Sequence, residues 1–156
     1  MLGSHRRGFT MVEALMVLTV IGIVAATSGP RLSAALRRRT TASAADVFVL
    51  THSLARSTAL RYGRIAQFHI DAPGKRFWVD VDTSANGVGQ RATIANIRDV
   101  SDNGLQMTST RTLVCFDARG IASTLGSCEA GDATVVFSDG QMADTVSTTI
   151  LGKVLR

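Results

Sequence analysis

The strongest constraint in this chain is a long run without charge near its start. Residues 14–30, from Ala14 to Pro30, are 17 consecutive uncharged residues, mostly Leu, Val, Ile, Ala and Met. Extended back to Phe9, the segment has 22 residues and a single charge, Glu13. A helix of that length rises roughly 33 Å, enough to cross a hydrocarbon core. His5, Arg6 and Arg7 precede it, and Arg31, Arg37, Arg38 and Arg39 follow it. Both flanks are basic, so charge counts do not orient the segment. A cleaved secretory signal, with Ala25, Ala26 and Thr27 as small residues for a cleavage site, is one reading. A plain membrane anchor is another. Neither accounts for Glu13, because a carboxylate within an apolar helix costs about 2.5–3.5 kcal/mol on insertion scales and is normally retained for a partner.

The rest of the composition closes off other classes. A chain of 156 residues is one domain's worth. With 46% hydrophobic residues it is not a disordered chain, and one long apolar segment is not a polytopic membrane protein. Two Cys exclude a disulfide-dense miniprotein and a four-Cys zinc site.

The string Arg7-Gly8-Phe9-Thr10-Met11-Val12-Glu13, followed by the apolar run, resembles the start of type IV prepilins and pseudopilins. The resemblance implies a leader over residues 1–8, cut between Gly8 and Phe9 by a prepilin peptidase, with N-methylation of Phe9. It makes Glu13 the fifth mature residue, which would meet the N-terminal amine of a neighbouring subunit during filament assembly. Such a partner offsets the burial of the carboxylate. Pro30 stands where many pilins have a helix-kinking proline.

Beyond Pro30 the helical pattern continues. Leu32, Ala35 and Leu36 form one stripe and Val47, Leu50 and Leu54 another. Gly is absent from Arg31 to Tyr62, so one helix from about Phe9 to Arg61 is expected, with a kink or local unwinding at Gly29-Pro30. Residues 9–30 would be its transmembrane and assembly half, and 31–62 its amphipathic half. The arginines at 37–39 suit a solvated face or phospholipid headgroups better than nucleic acid.

After Gly63 the period changes to two. Ile65, Gln67, His69 and Asp71 alternate with Ala66, Phe68 and Ile70, and Phe77, Val79 and Val81 alternate with Trp78, Asp80 and Asp82. Further strands are expected at residues 94–100, 105–109, 112–117, 133–138 and 142–151. Pro73-Gly74, Asn86-Gly87, Asn103-Gly104, Arg119-Gly120 and Asp139-Gly140 supply the turns. Residues 63–156 thus read as an antiparallel β domain of one sheet or a two-sheet sandwich. Segments around residues 54–65, 114–120, 133–137 and 149–153 resemble FimT-type minor pilins and the H-type pseudopilin of type II secretion. That likeness implies an α+β fold in which a long N-terminal helix packs on two small antiparallel sheets.

The resemblance also sets the compartment: a single-pass inner-membrane chain with a periplasmic domain, extracellular once in a filament. If the domain lies outside the inner membrane, Cys115 and Cys128 form a disulfide by default, the alternative being two buried thiols. Asp80-Val81-Asp82-Thr83-Ser84-Ala85-Asn86-Gly87 begins like a calcium loop, but the glycine arrives late and Arg91 stands where a glutamate is needed. His5, His52 and His69 form no metal set or triad, and no nucleotide or hydrolase motif is present. No catalytic residue, metal or cofactor is expected. The partners expected are other pilins or pseudopilins, the prepilin peptidase and the inner membrane.

DNA is a further candidate partner. The chain's net charge is +5, and loss of Arg6 and Arg7 with the leader would leave 15 Lys+Arg against 12 Asp+Glu. FimT-like pilins include DNA-binding members with a C-terminal Gly-Arg-x-Arg stretch. Here the corresponding end is Gly152-Lys153-Val154-Leu155-Arg156, so Lys153 and Arg156 are the candidate phosphate contacts.

Overall fold

The computed structural model describes residues 9–84, 91–101, 104–124, 128 and 132–156. The chain divides into two compact units, Met1–Leu36 and Arg37–Arg156. One helix, α1 (Met11–Tyr62), contributes to both. It is continuous through Pro30, and the side chains of residues 27–30, on which the expected kink bears, lie outside the described ones.

In the first unit, Thr10 caps the helix. Its Oγ1 accepts the Glu13 backbone N–H at 3.2 Å and its carbonyl accepts that of Ala14 at 3.1 Å. Thr10 with Glu13 three residues on is the sequence of a capping box, which satisfies donors that a helix start leaves orphaned. Thr19 returns its hydroxyl to the Met16 carbonyl at 2.7 Å, so a polar residue adds no unpaired donor to the apolar run. Every side chain from residue 9 to 26 is exposed.

The second unit begins with the rest of α1. Its buried face is Thr41, Ala44, Ala45, Phe48, Thr51, His52, Ala55, Thr58 and Ala59, recurring at three- and four-residue spacing. This differs from the expected stripe. Leu50 is exposed, Val47 and Leu54 are half-buried, and Leu32, Ala35 and Leu36 are exposed. Small residues win the buried face because they let the strands approach the helix closely, and Phe48 then supplies the volume. The threonines are tolerated because Thr41 and Thr51 donate to the carbonyls of Arg38 and Val47 at 3.1 and 2.8 Å.

Among the described residues nine strands follow, in two antiparallel sheets. The first has the order β3 (Arg91–Thr93), β2 (Arg76–Asp82), β1 (Ala66–Asp71), β6 (Leu113–Phe116), with β4 (Arg98–Asp99) also on β2. The second has the order β5 (Gln106–Ser109), β7 (Ala133–Ser138), β8 (Ala143–Thr148), β9 (Val154–Leu155). Register places Phe68 opposite Val79 and Val114, and Val135 opposite Val146. Alternate residues of β1, β2 and β7 therefore face one core. Phe48 sits at its centre, with ring centroids 5.1, 5.4 and 5.9 Å from Phe68, Phe77 and Phe137.

Two strand expectations are corrected. Residues 94–100 are not one strand: β3 and β4 pair separately with β2, and four residues, 94–97, stand opposite Trp78 and Val79. The edge is bulged, a common way to blunt an exposed strand. Residues 142–151 do not run through either, because β8 stops at Thr148 and a turn closed by Thr149 leads into β9. The β1–β2 turn falls at Pro73-Gly74, yet the left-handed residue is Lys75, at φ 54°.

Candidate assembly and binding sites

The N-terminal candidate is built from the capped helix start. Gly8 lies outside the described residues; Phe9 is 73% exposed, one residue before the cap. The Glu13 backbone is tied into the cap, while among the described residues no cation lies within ion-pair distance of its carboxylate. The apolar surface around it, from Met11 to Val24, is likewise uncovered. The segment has the length and apolarity to cross a membrane. What it can do chemically is offer one carboxylate, set in an apolar helix, to a cation from outside.

The C-terminal candidates separate. Lys153 uses its backbone to close the turn, accepting from Thr149 N–H at 2.8 Å and donating to Thr149 Oγ1 at 3.2 Å, and its side chain is exposed. Arg156 is committed within the fold. Its guanidinium pairs with Asp144 on β8 and Asp46 on α1, and donates to the Ala42 carbonyl at 3.3 Å. The hydrogen bond to Asp144, followed by the charges of Asp144 and Asp46, holds that guanidinium more firmly protonated. Two carboxylates thus already answer the charge that was to meet phosphate. Neither aspartate was visible as a partner in the sequence, since Asp46 lies 110 positions away.

The glycine before Lys153 has a local role. Gly120 and Gly152 adopt φ of 72° and 73°, where an L side chain is strained. A Cβ on Gly120 would also meet Arg56 Cγ at 3.1 Å, and one on Gly152 would meet the Gly120 carbonyl at 3.4 Å. Arg56 therefore lies over two glycines from neighbouring loops. The Gly152-Lys153 step serves the fold before it serves any ligand.

Cys115 and Cys128 are joined by a disulfide, with Cα atoms 5.6 Å apart. It ties β6 to the segment that precedes β7. In the chain-entropy model a loop of this size is worth roughly 3 kcal/mol.

The aspartates of the calcium-like stretch are engaged within the fold. Asp80 accepts from Trp78 Nε1 at 3.1 Å and Thr93 Oγ1 at 2.8 Å. Asp82 accepts from Ser84 Oγ at 2.6 Å and faces Arg64 at 3.4 Å, which holds its carboxyl below the usual range, the Ser84 bonds contributing most. Residues 85–90 of the calcium-like stretch lie outside the described residues. Among the described residues no group of three His, Cys, Asp or Glu is placed to hold a metal. His69 stacks on Trp78 at 4.9 Å, and its Nε2 lies 3.2 Å from Asp80 Oδ2 without hydrogen-bond alignment. His52 reads in the sequence only as one of three scattered histidines. It is 1% exposed, edge-on to Phe116 at 5.0 Å, and its Nε2 has no partner. Burial first, then the nearby Arg56 charge, lowers its pKa to about 4.

A family model described as the prokaryotic N-terminal methylation motif matches residues 3–29. No curated protein matches the chain. Among solved structures, the type IV minor pilin FimU of Pseudomonas aeruginosa superposes with a TM-score of 0.57 at 19% identity, covering 76% of this chain and 88% of that one. The minor pseudopilin EpsH from the type 2 secretion system of Vibrio cholerae superposes with a TM-score of 0.54 at 15% identity, covering 74% and 94%. At such identities the likeness concerns the fold. The chain thus carries a prokaryotic N-terminal methylation motif, and its arrangement of a long helix with two antiparallel sheets is a type IV pilin-like fold.

Proposed function

We propose that this chain is a minor, non-enzymatic subunit of a type IV pilin-type filament. In this reading residues 1–8 are a leader removed by a prepilin peptidase, and Phe9 becomes the methylated N-terminus. Residues 9–30 hold the chain in the inner membrane as a single span, with the β domain of residues 63–156 on the periplasmic side. The chain then passes into the filament beside other pilins or pseudopilins. The observation that carries the reading is Glu13: a carboxylate in an exposed apolar helix, its backbone fixed by the Thr10 cap and its side chain unanswered among the described residues. A buried carboxylate is tolerable when a hydrogen-bonded cation meets it, and the amine of a neighbouring Phe9 is such a cation.

Two systems share this chemistry. The FimU likeness supports a FimT-like minor pilin, and the EpsH likeness supports an H-type minor pseudopilin of type II secretion. The pairing of Arg156 with Asp46 and Asp144 supports a scaffold over a DNA-binding subunit, because one of the two candidate phosphate contacts is engaged.

The test is Glu13→Leu in cells that assemble the filament. The variant should be cleaved, giving a mature chain that begins at methyl-Phe9 by mass, and should stay in the membrane while its incorporation drops at least tenfold. Incorporation at the normal level would remove the assembly role of Glu13. A mature chain starting near Thr27 would show a secretory signal instead.

A further inference from the structure

Arg37, Arg38 and Arg39 are three consecutive exposed cations at the start of the second unit. Among the described residues no carboxylate lies within ion-pair distance of their guanidiniums, whereas Arg64, Arg76, Arg119 and Arg156 are each paired with an aspartate. Two acids of the β7–β8 region bear on the run. Asp139, whose charge acts with that of Arg37, accepts the Gln141 and Met142 N–H groups through Oδ1 at 2.9 and 2.7 Å, while its Oδ2 is buried without a hydrogen-bond partner. Asp144, which shares a groove with Arg38, is paired with Arg156. Three adjacent like charges repel one another, and among the described residues Asp139 offsets this at Arg37 without forming an ion pair.

Their spacing says what kind of partner would. At 3.6 residues per turn, three successive side chains fan over about 200° of the helix circumference. A partner lying against one side, such as a protein surface or a nucleic-acid duplex, meets at most two of them at once. A fluid layer of headgroups, which can approach from every side that the β7–β8 region leaves open, can meet all three, since each is exposed. The uncharged stretch ends at Pro30, with Arg31 at the hydrocarbon edge, and the run begins seven positions on, about 10 Å at helical rise, from which long arginine side chains can reach back to the headgroups.

We propose that Arg37, Arg38 and Arg39 form a collar that binds the phosphate groups of anionic phospholipids in the leaflet from which the β domain emerges. The proposal rests on the membrane-anchored reading above. The collar fixes the depth at which the chain waits before assembly, and it gives the unassembled subunit a lipid preference that must be surrendered on leaving the bilayer. Each arginine held near an anionic surface favours it about fivefold.

The experiment reconstitutes the full chain into bilayers of equal phosphatidylglycerol and phosphatidylcholine and measures the lipid ratio that co-purifies with it. At low salt, phosphatidylglycerol should be enriched at least fivefold. The enrichment should fall to parity in the R37Q/R38Q/R39Q variant and return in R37K/R38K/R39K, because a phosphate collar needs charge more than fork geometry. The thermal midpoint of each variant, read in parallel, should match the parent. Inorganic phosphate or a short DNA duplex added to the bilayers should leave the ratio unchanged, and displacement by either would overturn the lipid as occupant. Parity in the parent chain, with insertion intact by carbonate extraction, overturns the collar and leaves the anchor standing. A chain that carbonate extracts from both lipids overturns the anchor and the collar with it.

Discussion

From residue 9 to 26 every side chain of α1 and its cap is exposed, and most are large and apolar; from Thr41 to Ala59 the same helix buries a face made mainly of alanine and threonine around Phe48 and His52. The first stretch has hydrophobicity without a core. Its Leu, Ile, Val and Met side chains point in all directions, as in a helix meant for lipid or for other helices. The second has a core with little aliphatic bulk on the helix, because the strands bring Phe68, Phe77, Phe116 and Phe137 to it. Total hydrophobicity is therefore a poor guide to where this chain is stabilised. Position relative to the sheets decides it.

The comparison breaks most visibly at Phe48. This ring touches three others and is fully buried. Phe48→Ala should cost about 3–5 kcal/mol of domain stability, the range for deleting a buried aromatic. Val20→Ala, a deletion from the first stretch, should leave the urea midpoint of the domain where it was. Equal losses at the two sites, measured on the full chain in detergent, would mean that the exposed run contributes to the domain core after all.

His52 sharpens the comparison through pH. The folded pKa is lowered to about 4 from an ordinary 6.5, burial being the larger cause. As pH falls below 6.5 the unfolded chain takes up a proton that the folded chain refuses. Stability is therefore full above about pH 6.5, declines as pH drops, and levels off below pH 4 so far as His52 is concerned. The loss is about 3 kcal/mol at order-of-magnitude precision. His52→Leu should remove that segment of the stability profile while keeping the neutral-pH value within about 1.5 kcal/mol. An identical profile in parent and variant, followed by thermal unfolding from pH 7 to 4, would assign the acid sensitivity elsewhere.

Much of this is legible in the sequence, and what is not follows a pattern. The helix limits, the turn glycines and the alternation of β1, β2 and β7 can be read because each is a local signal: charge absence, positive-φ residues, period two. The buried face of α1 is easily misread because Val47, Leu50 and Leu54 look like a core stripe to a scale of side-chain size. Helix-to-sheet distance, which selects Ala44, Ala45, Ala55 and Ala59, is set by strands far along the chain. The Arg156 pairs and the burial of His52 are invisible for the same reason: Asp46, Asp144 and Phe116 become neighbours only after folding. The bulge at residues 94–97 depends on which residues of β2 stay available, which no local pattern encodes. At the N-terminus the reverse holds. Thr10 and Glu13 sit three residues apart, so both the cap and the anomalous charge can be read directly.

Leu50 is the smallest and most discriminating test, because it has the chemistry of the first stretch and the address of the second. It lies two positions from Phe48 and is 69% exposed. It lines a shallow groove with Val47, Thr51, Leu54 and Arg98. If burial and not side-chain type carries the stability, Leu50→Gln should shift unfolding by no more than about 0.5 kcal/mol, the usual range for a surface change. A loss above about 1.5 kcal/mol in the isolated chain would restore the stripe of Val47, Leu50 and Leu54 as the packed face of α1 and displace the alanine face from that role. A neutral result in the isolated chain with reduced incorporation into filaments would mean something different: that the second half of α1 keeps one outward apolar stripe for a neighbouring subunit. Unfolding of the isolated chain and incorporation in cells, measured on the same variant, separate these outcomes, since only the second changes what surrounds Leu50.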